Sequence, residues 1–123
     1  MATMQSQMRS LGATAAADEP PIDRTHLFRM TLGDDALERE VLALFERQAE
    51  RLIARMGEVD PSGVAALAHT LKGSARGVGA WPMARAAEAV ETAAPADLAQ
   101  AVATLAAAAG ETRVAIADIL GAT

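Results

Sequence analysis

One of the chain's two histidines, His69, stands in the stretch LAHTLKGSARGVGAW (residues 67–81), three residues before Lys72 and four before Gly73. Residues three and four apart share a helix face, so a helix here sets an imidazole, an ammonium and a missing side chain next to one another. A free imidazole, with a pKa of about 6.5, is mostly neutral near pH 7 and offers a nitrogen lone pair. Lys72 can hold an anion near that ring as a point charge, without the fixed geometry of a guanidinium. Gly73 lowers helix stability by about 1 kcal/mol relative to alanine, and close approach by another molecule is a reason to keep it. Ala65 and Ala66, one turn earlier, keep the other side low. The set suits a nucleophile reached by a large partner, and the group attacked would be phosphoryl. The chain shows no G-x-x-x-x-G-K-[ST] loop, no glycine-rich kinase loop and no Asp/Asn pair recognisable as a magnesium site. Metal and catalytic positioning must then come from the partner.

Composition narrows the classes. The 123 residues fit one domain able to bury a core without disulfides. Eleven Lys and Arg against sixteen Asp and Glu give a net charge of −5, with no basic stripe, which argues against nucleic acid. Cysteine is absent, which removes disulfide scaffolds, thiol nucleophiles and cysteine zinc sites. The longest apolar run, TLAAAAG, is too short for a bilayer, and the N-terminal segment does not read as a secretory signal. The expectation is a cytoplasmic protein with no membrane partner.

The elements that must position His69 are helices, because alanine dominates, aromatics are few and no stretch alternates with period two. Residues 1–20, taken as a whole, show no period and end in DEPP, and read as a flexible tail; the domain is expected over 21–123. A short first helix, PIDRTHLFRMTLG, is expected to be capped by Asp23, to turn Leu27 and Met30 to one side, to end at Gly33 and to act as a lid. The second starts at a capping box of Asp35 and Glu38 and carries Leu37, Val41, Leu44, Phe45, Leu52 and Met56 as its apolar stripe. Gly57, Asp60 and Pro61 end that helix and start the third, whose buried stripe is Val64, Leu67, Ala68, Leu71, Ala75 and Val78. His69, Lys72, Gly73 and Arg76 fall outside it. Gly77 and Gly79 break the chain before Trp81-Pro82, and a fourth helix turns Met83, Ala84, Ala87 and Val90 inward. After Pro95 and Asp97 a last helix buries Leu98, Val102, Leu105, Ala109, Ile116 and Ile119 or Leu120. Short connections predict an antiparallel four-helix up-and-down bundle with an additional short N-terminal helix; a helical hairpin completed by dimerisation is the alternative. If the third and fourth helices fold back about Gly79, Glu88 or Glu91 flanks His69. Glu91 would orient the ring or raise its basicity but repel a phosphate; otherwise it is an exposed helix glutamate. His26 and Trp81 read as lid packing and loop anchor, and Met56 and Met83 as core fillers.

HTLKGSARGVGA closely resembles the His-x-x-Lys-Gly-Ser motif of histidine-containing phosphotransfer (HPt) domains of two-component phosphorelays. LGDDALEREVLALF and MARAAEAVE resemble the helices that flank it, so the likeness runs from about Ile22 to Leu120. It implies a bundle whose His69 accepts a phosphoryl group from a receiver-domain aspartate and passes it to another, without kinase activity of its own. It also implies that Lys72 supports the phosphate, that Gly73 clears room for the receiver, and that Ser74 belongs to the motif with a hydrogen bond to offer. Arg76 is a candidate to sense phosphate or receiver charge, or a solvated arginine. The expected partners are response-regulator receiver domains and a hybrid histidine kinase, met by a monomer. No cofactor or metal is expected on this chain, with Mg2+ brought by the receiver. The competing readings are a phosphorylation-silent module that binds receivers and an autonomous enzyme using His69 as general base.

Overall fold

The computed structural model describes residues 19–121, so residues 1–18, most of the segment read as a tail, and residues 122–123 lie outside the described residues. Among the described residues the fold comprises five α-helices: α1 (Arg24–Met30), α2 (Asp35–Met56), α3 (Pro61–Val78), α4 (Trp81–Thr92) and α5 (Leu98–Gly121), with a 3-10 turn at Pro95–Asp97. Among the described residues there is no strand. Helices α2 to α5 form the expected up-and-down bundle, each packed on the next and α5 closing back onto α2.

Local chemistry sets the helix limits. Asp23, Asp34 and Asp60 accept the backbone N–H of His26, Leu37 and Gly63, satisfying donors that the first turn leaves free. The cap of α2 is thus Asp34 and not Asp35. Glu38 does not reach back to complete a capping box; it is buried and pairs with Arg24 of α1 at 3.3 Å. Helix α3 ends on Gly79, at φ +84°, where an added Cβ would come within 3.0 Å of the Asp23 carbonyl oxygen. Gly77, expected with Gly79 to break the chain, lies inside the last turn of α3, with open space beside it.

Burial follows the predicted faces on three helices. Val64, Ala68, Leu71, Ala75 and Val78 of α3, Met83, Ala84, Ala87 and Val90 of α4, and Leu105 and Ile116 of α5 are buried, while Leu67 is partly so. Thr112 enters the core with its hydroxyl donating to the Ala108 carbonyl at 2.8 Å. On α2 the stripe is shifted: Glu38, Leu42, Phe45, Ala49 and Met56 are buried, whereas Leu37 is exposed and Leu44 is 52% exposed. Two apolar stripes overlap on this helix, and the one aimed between its neighbours α3 and α5 wins. Met30 likewise faces water while Leu27 alone is buried.

Helix α1 covers the end of the bundle where α3 hands over to α4. The Asp23 N–H donates to the Gly79 carbonyl at 2.8 Å, and the Trp81 indole N–H donates to Asp23 Oδ2 at 2.9 Å. His26 packs edge-on against Trp81, ring centroids 4.9 Å apart, with Nε2 3.1 Å from the Gly77 carbonyl oxygen. A carbonyl only accepts, so Nε2 is the donor. Both residues therefore take the packing reading. The shifted α2 stripe gives a direct test: Leu42→Ala should lower stability by about 3 kcal/mol and Leu44→Ala by less than about 1, measured by chemical denaturation.

Candidate functional site

His69 lies at the middle of α3 with its side chain 69% exposed. The seam between α3 and α4 is built from Ala68, Ala75, Ala84 and Ala87, all buried, and such small side chains let two helices approach closely. Across that seam Glu91 of α4 reaches the imidazole: its Oε1 is 2.8 Å from His69 Nδ1. Its other oxygen, Oε2, is 2.7 Å from the Lys72 ammonium. Oε2 is shut off from water, and the Lys72 ammonium is the cation that faces it there. Glu91, not Glu88, is thus the acidic neighbour of His69; Glu88 is exposed on the outer face of α4.

The electrostatics decide where protons sit. Lys72 first, and His69 next, hold the Glu91 carboxyl below its ordinary value against the opposing effect of partial burial. An ionised carboxylate only accepts, so the proton on Nδ1 is fixed by its partner and the lone pair of the neutral ring is left on Nε2. Nε2 is the nitrogen on the far side of the ring from Glu91. Lys72 itself is drawn in: its side chain is 14% exposed, not spread on the outer face as the helical wheel suggested. Glu91 is what draws it, through an ion pair in a partly sheltered place.

On the side of the ring away from α4 the surface is low. An added Cβ at Gly73 or at Gly77 would meet nothing within 4 Å. Together with the exposed Ala66 and Thr70 these glycines form a shelf between the imidazole and α2. The shelf ends in a shallow groove where Ser74 and Val78 meet Val41, Leu44 and Gln48 of α2. Ser74 is about 140° round the helix from His69, so the fold does not bring it to the imidazole. Arg76 is exposed on His69's face, about two turns further on. The sequence reading missed Gly77, Thr70 and Leu44 as parts of this surface. The signal available was the second apolar stripe of α2, which has no core position left to fill. Among the described residues no group of three or more His, Cys, Asp or Glu side chains could hold a metal ion.

An antiparallel bundle that presents one exposed histidine, oriented by a carboxylate on the next helix, has the form of a phosphotransfer carrier. The chain belongs to the Hpt domain family, whose model matches residues 40–120. Among solved structures it is similar to an X-ray structure assigned as a histidine-containing phosphotransfer protein from rice, at 20% identity and a TM-score of 0.73, covering 98% of this chain and 93% of that one. At that identity the likeness speaks for the fold. No curated protein matches the sequence. Hpt domains carry phosphoryl groups in two-component signalling and interact there with receiver domains and kinases, so this chain has a phosphotransfer role in such a system. No described helix is long and apolar enough to cross a membrane.

Two outcomes follow from this geometry. Gly73→Ala should raise stability by up to about 1 kcal/mol, because nothing in the folded chain opposes the methyl group; a thermal melt reads this. Since folding lowers the Glu91 pKa, its contribution is complete above the ordinary value of 4.5 and is lost as pH falls through its lower folded value. The difference in melting temperature between the native chain and Glu91→Gln should therefore be flat above that pH and close below it.

Proposed function

We propose that His69 is a phosphorelay relay point: it accepts a phosphoryl group from a receiver-domain aspartate and gives it to another. The observation that carries this is the Nδ1 contact to Glu91 at 2.8 Å, which leaves Nε2 as the exposed nucleophile. The Nε2 lone pair attacks phosphorus, the P–O bond of the aspartyl phosphate breaks, and the aspartate leaves as a carboxylate. The Nδ1 proton stays shared with Glu91, whose charge stabilises the imidazole as it loses electron density to phosphorus. Transfer onward is the reverse of this step on a second receiver.

Lys72 has two roles in this reading. Before transfer it neutralises Glu91, so the carboxylate can stand beside the ring without a full negative charge facing the incoming phosphate. After transfer its flexible stem lets the ammonium turn toward the phosphoryl oxygens. Gly73 and Gly77 clear the shelf on which a receiver lies, and Leu44, with Val41, gives that surface an apolar border. Arg76 supplies a positive charge at its end, suited to an acidic partner. Ser74 lines the receiver-facing groove on the α2 side. The receiver brings its aspartate and the Mg2+ that its own phosphoryl chemistry uses; the partners include a receiver fused to a hybrid histidine kinase, and this chain acts as a monomer in the cytoplasm.

Incubation with a phosphorylated receiver should place an acid-labile, alkali-stable label on the chain, and His69→Gln should carry none. Glu91→Gln should still accept label but about tenfold more slowly, since a displaced ring loses the attacking geometry. Receiver binding without labelling of the native chain would overturn the relay reading and assign the phosphorylation-silent module. Leu44→Asp should weaken receiver binding and slow transfer while leaving the melting temperature within a few degrees of native, because Leu44 is not in the core.

A further inference from the structure

Helix α2 carries a row of positive charge that the chemistry at His69 does not use. Arg47, Arg51 and Arg55 follow one another at i, i+4 and i+8, all exposed, so one outer line of the helix holds three guanidiniums over about 12 Å. Like charges at this spacing weaken a helix, and among the described residues no carboxylate forms an ion pair with any of the three. The acids of this region stand to the side or at the ends. Glu46 and Glu50 flank Arg47 in sequence but turn toward α5, where they line a separate groove with Arg113. Glu40 lies about two turns before Arg47, and Glu58 follows Arg55 in the loop. In a chain of net charge −5 the row is a local reversal of sign.

We propose that this row steers an acidic receiver surface onto the His69 face and selects among receivers by their charge; the inference rests on the proposed relay at His69. Helices α2 and α3 are antiparallel, and counting outward from their connection at 57–60 sets Arg47 level with Thr70 and Arg51 with Ala66, both residues of the shelf. Arg51 also lines the groove at the shelf's end with Leu44 and Ser74, so the row is continuous with the surface on which the receiver lies. A partner of ordinary size covers about 800 Å² on each side, enough to reach from the imidazole across the shelf to α2. The row then falls at the rim of the contact. Charges at a rim act on the rate of encounter and its salt dependence more than on the chemistry at the centre. The receiver's side follows from its own chemistry: an aspartyl phosphate, with the carboxylates that hold Mg2+, makes its docking face anionic. A carrier of net negative charge repels such a face, and the arginine row offsets that repulsion where docking occurs. The receivers it favours carry acidic side chains along about 12 Å beside the phospho-aspartate, and one with a basic edge there is rejected.

The probe is a purified receiver domain that binds the native chain, phosphorylated by a small-molecule phosphodonor, with association followed by stopped flow. At about 20 mM salt Arg47→Gln with Arg51→Gln should associate at least about fivefold more slowly than the native chain, and at about 500 mM, where charges are screened within a few ångströms, within about twofold. Arg85→Gln with Arg113→Gln removes as much charge from α4 and α5 and should associate at close to the native rate. In the row variant the transfer rate within the preformed complex should match the native chain, and the melting temperature should be equal or slightly higher, because a like-charge pair has been removed. Equal slowing in both double variants, or none in the row variant, would overturn the proposal. Salt-dependent association of the native chain without label would overturn the relay reading while upholding the row; label transfer with equal association rates would do the opposite.

Discussion

The carboxylate of Glu91 serves two groups at once, the N–H of His69 with Nδ1 at 2.8 Å and the Lys72 ammonium at 2.7 Å, and it comes from a different helix than either. That contact requires α3 and α4 to lie close together, in antiparallel register and in one rotational setting. The alanines of the seam allow the approach: Ala68, Ala75, Ala84 and Ala87 are buried where larger side chains would push the helices apart. Their turn sets the register. Gly79 reverses the chain in a left-handed conformation, and Asp23, Trp81 and His26 clamp α1 over it. A clamp some distance from His69 thus fixes which carboxylate faces the imidazole.

The same arrangement separates the two sides of the ring by function. The Nδ1 side is sheltered, charged and tied to α4. The Nε2 side opens on a shelf of Gly73, Gly77, Ala66 and Thr70, where the chain carries almost no side-chain bulk. Helix stability is lower for both glycines, and no intramolecular contact accounts for either. A carrier that must be read by a large partner has a physical reason for such a surface, since a protein reaches a nucleophile only where no side chain stands higher than the nucleophile itself.

Much of the fold was legible in particular residues. Asp23, Asp60, Pro61, Gly79 and Pro82 act locally, within one turn of themselves, and each does what its type predicts. The buried faces of α3, α4 and α5 follow from periodicity because each has one apolar stripe. Helix α2 has two, and the sequence offers no local reason to prefer Leu42 over Leu44; the choice depends on where α3 and α5 stand. Glu38 shows the same limit, since it reads as a cap partner until Arg24 is brought to it from α1. Ser74 belongs to the motif by adjacency, yet rotation about the helix carries it to the α2 side.

Sequence alone determined the helical class, the helix starts to within a residue, the reversal at Gly79 and the candidacy of His69 with Lys72 and Gly73, because these depend on residue type and on spacing within one helix. Glu91 was legible as a neighbour to within one turn, by counting outward from the turn. Only the tertiary structure decided that Glu91 rather than Glu88 meets the ring, that the Nδ1 proton is held and Nε2 left free, and that Lys72 folds inward to the carboxylate. Those facts depend on the distance and rotation between two helices, to within about an ångström for a hydrogen bond. Interhelical packing sets both, and periodicity within a single helix carries no information about either.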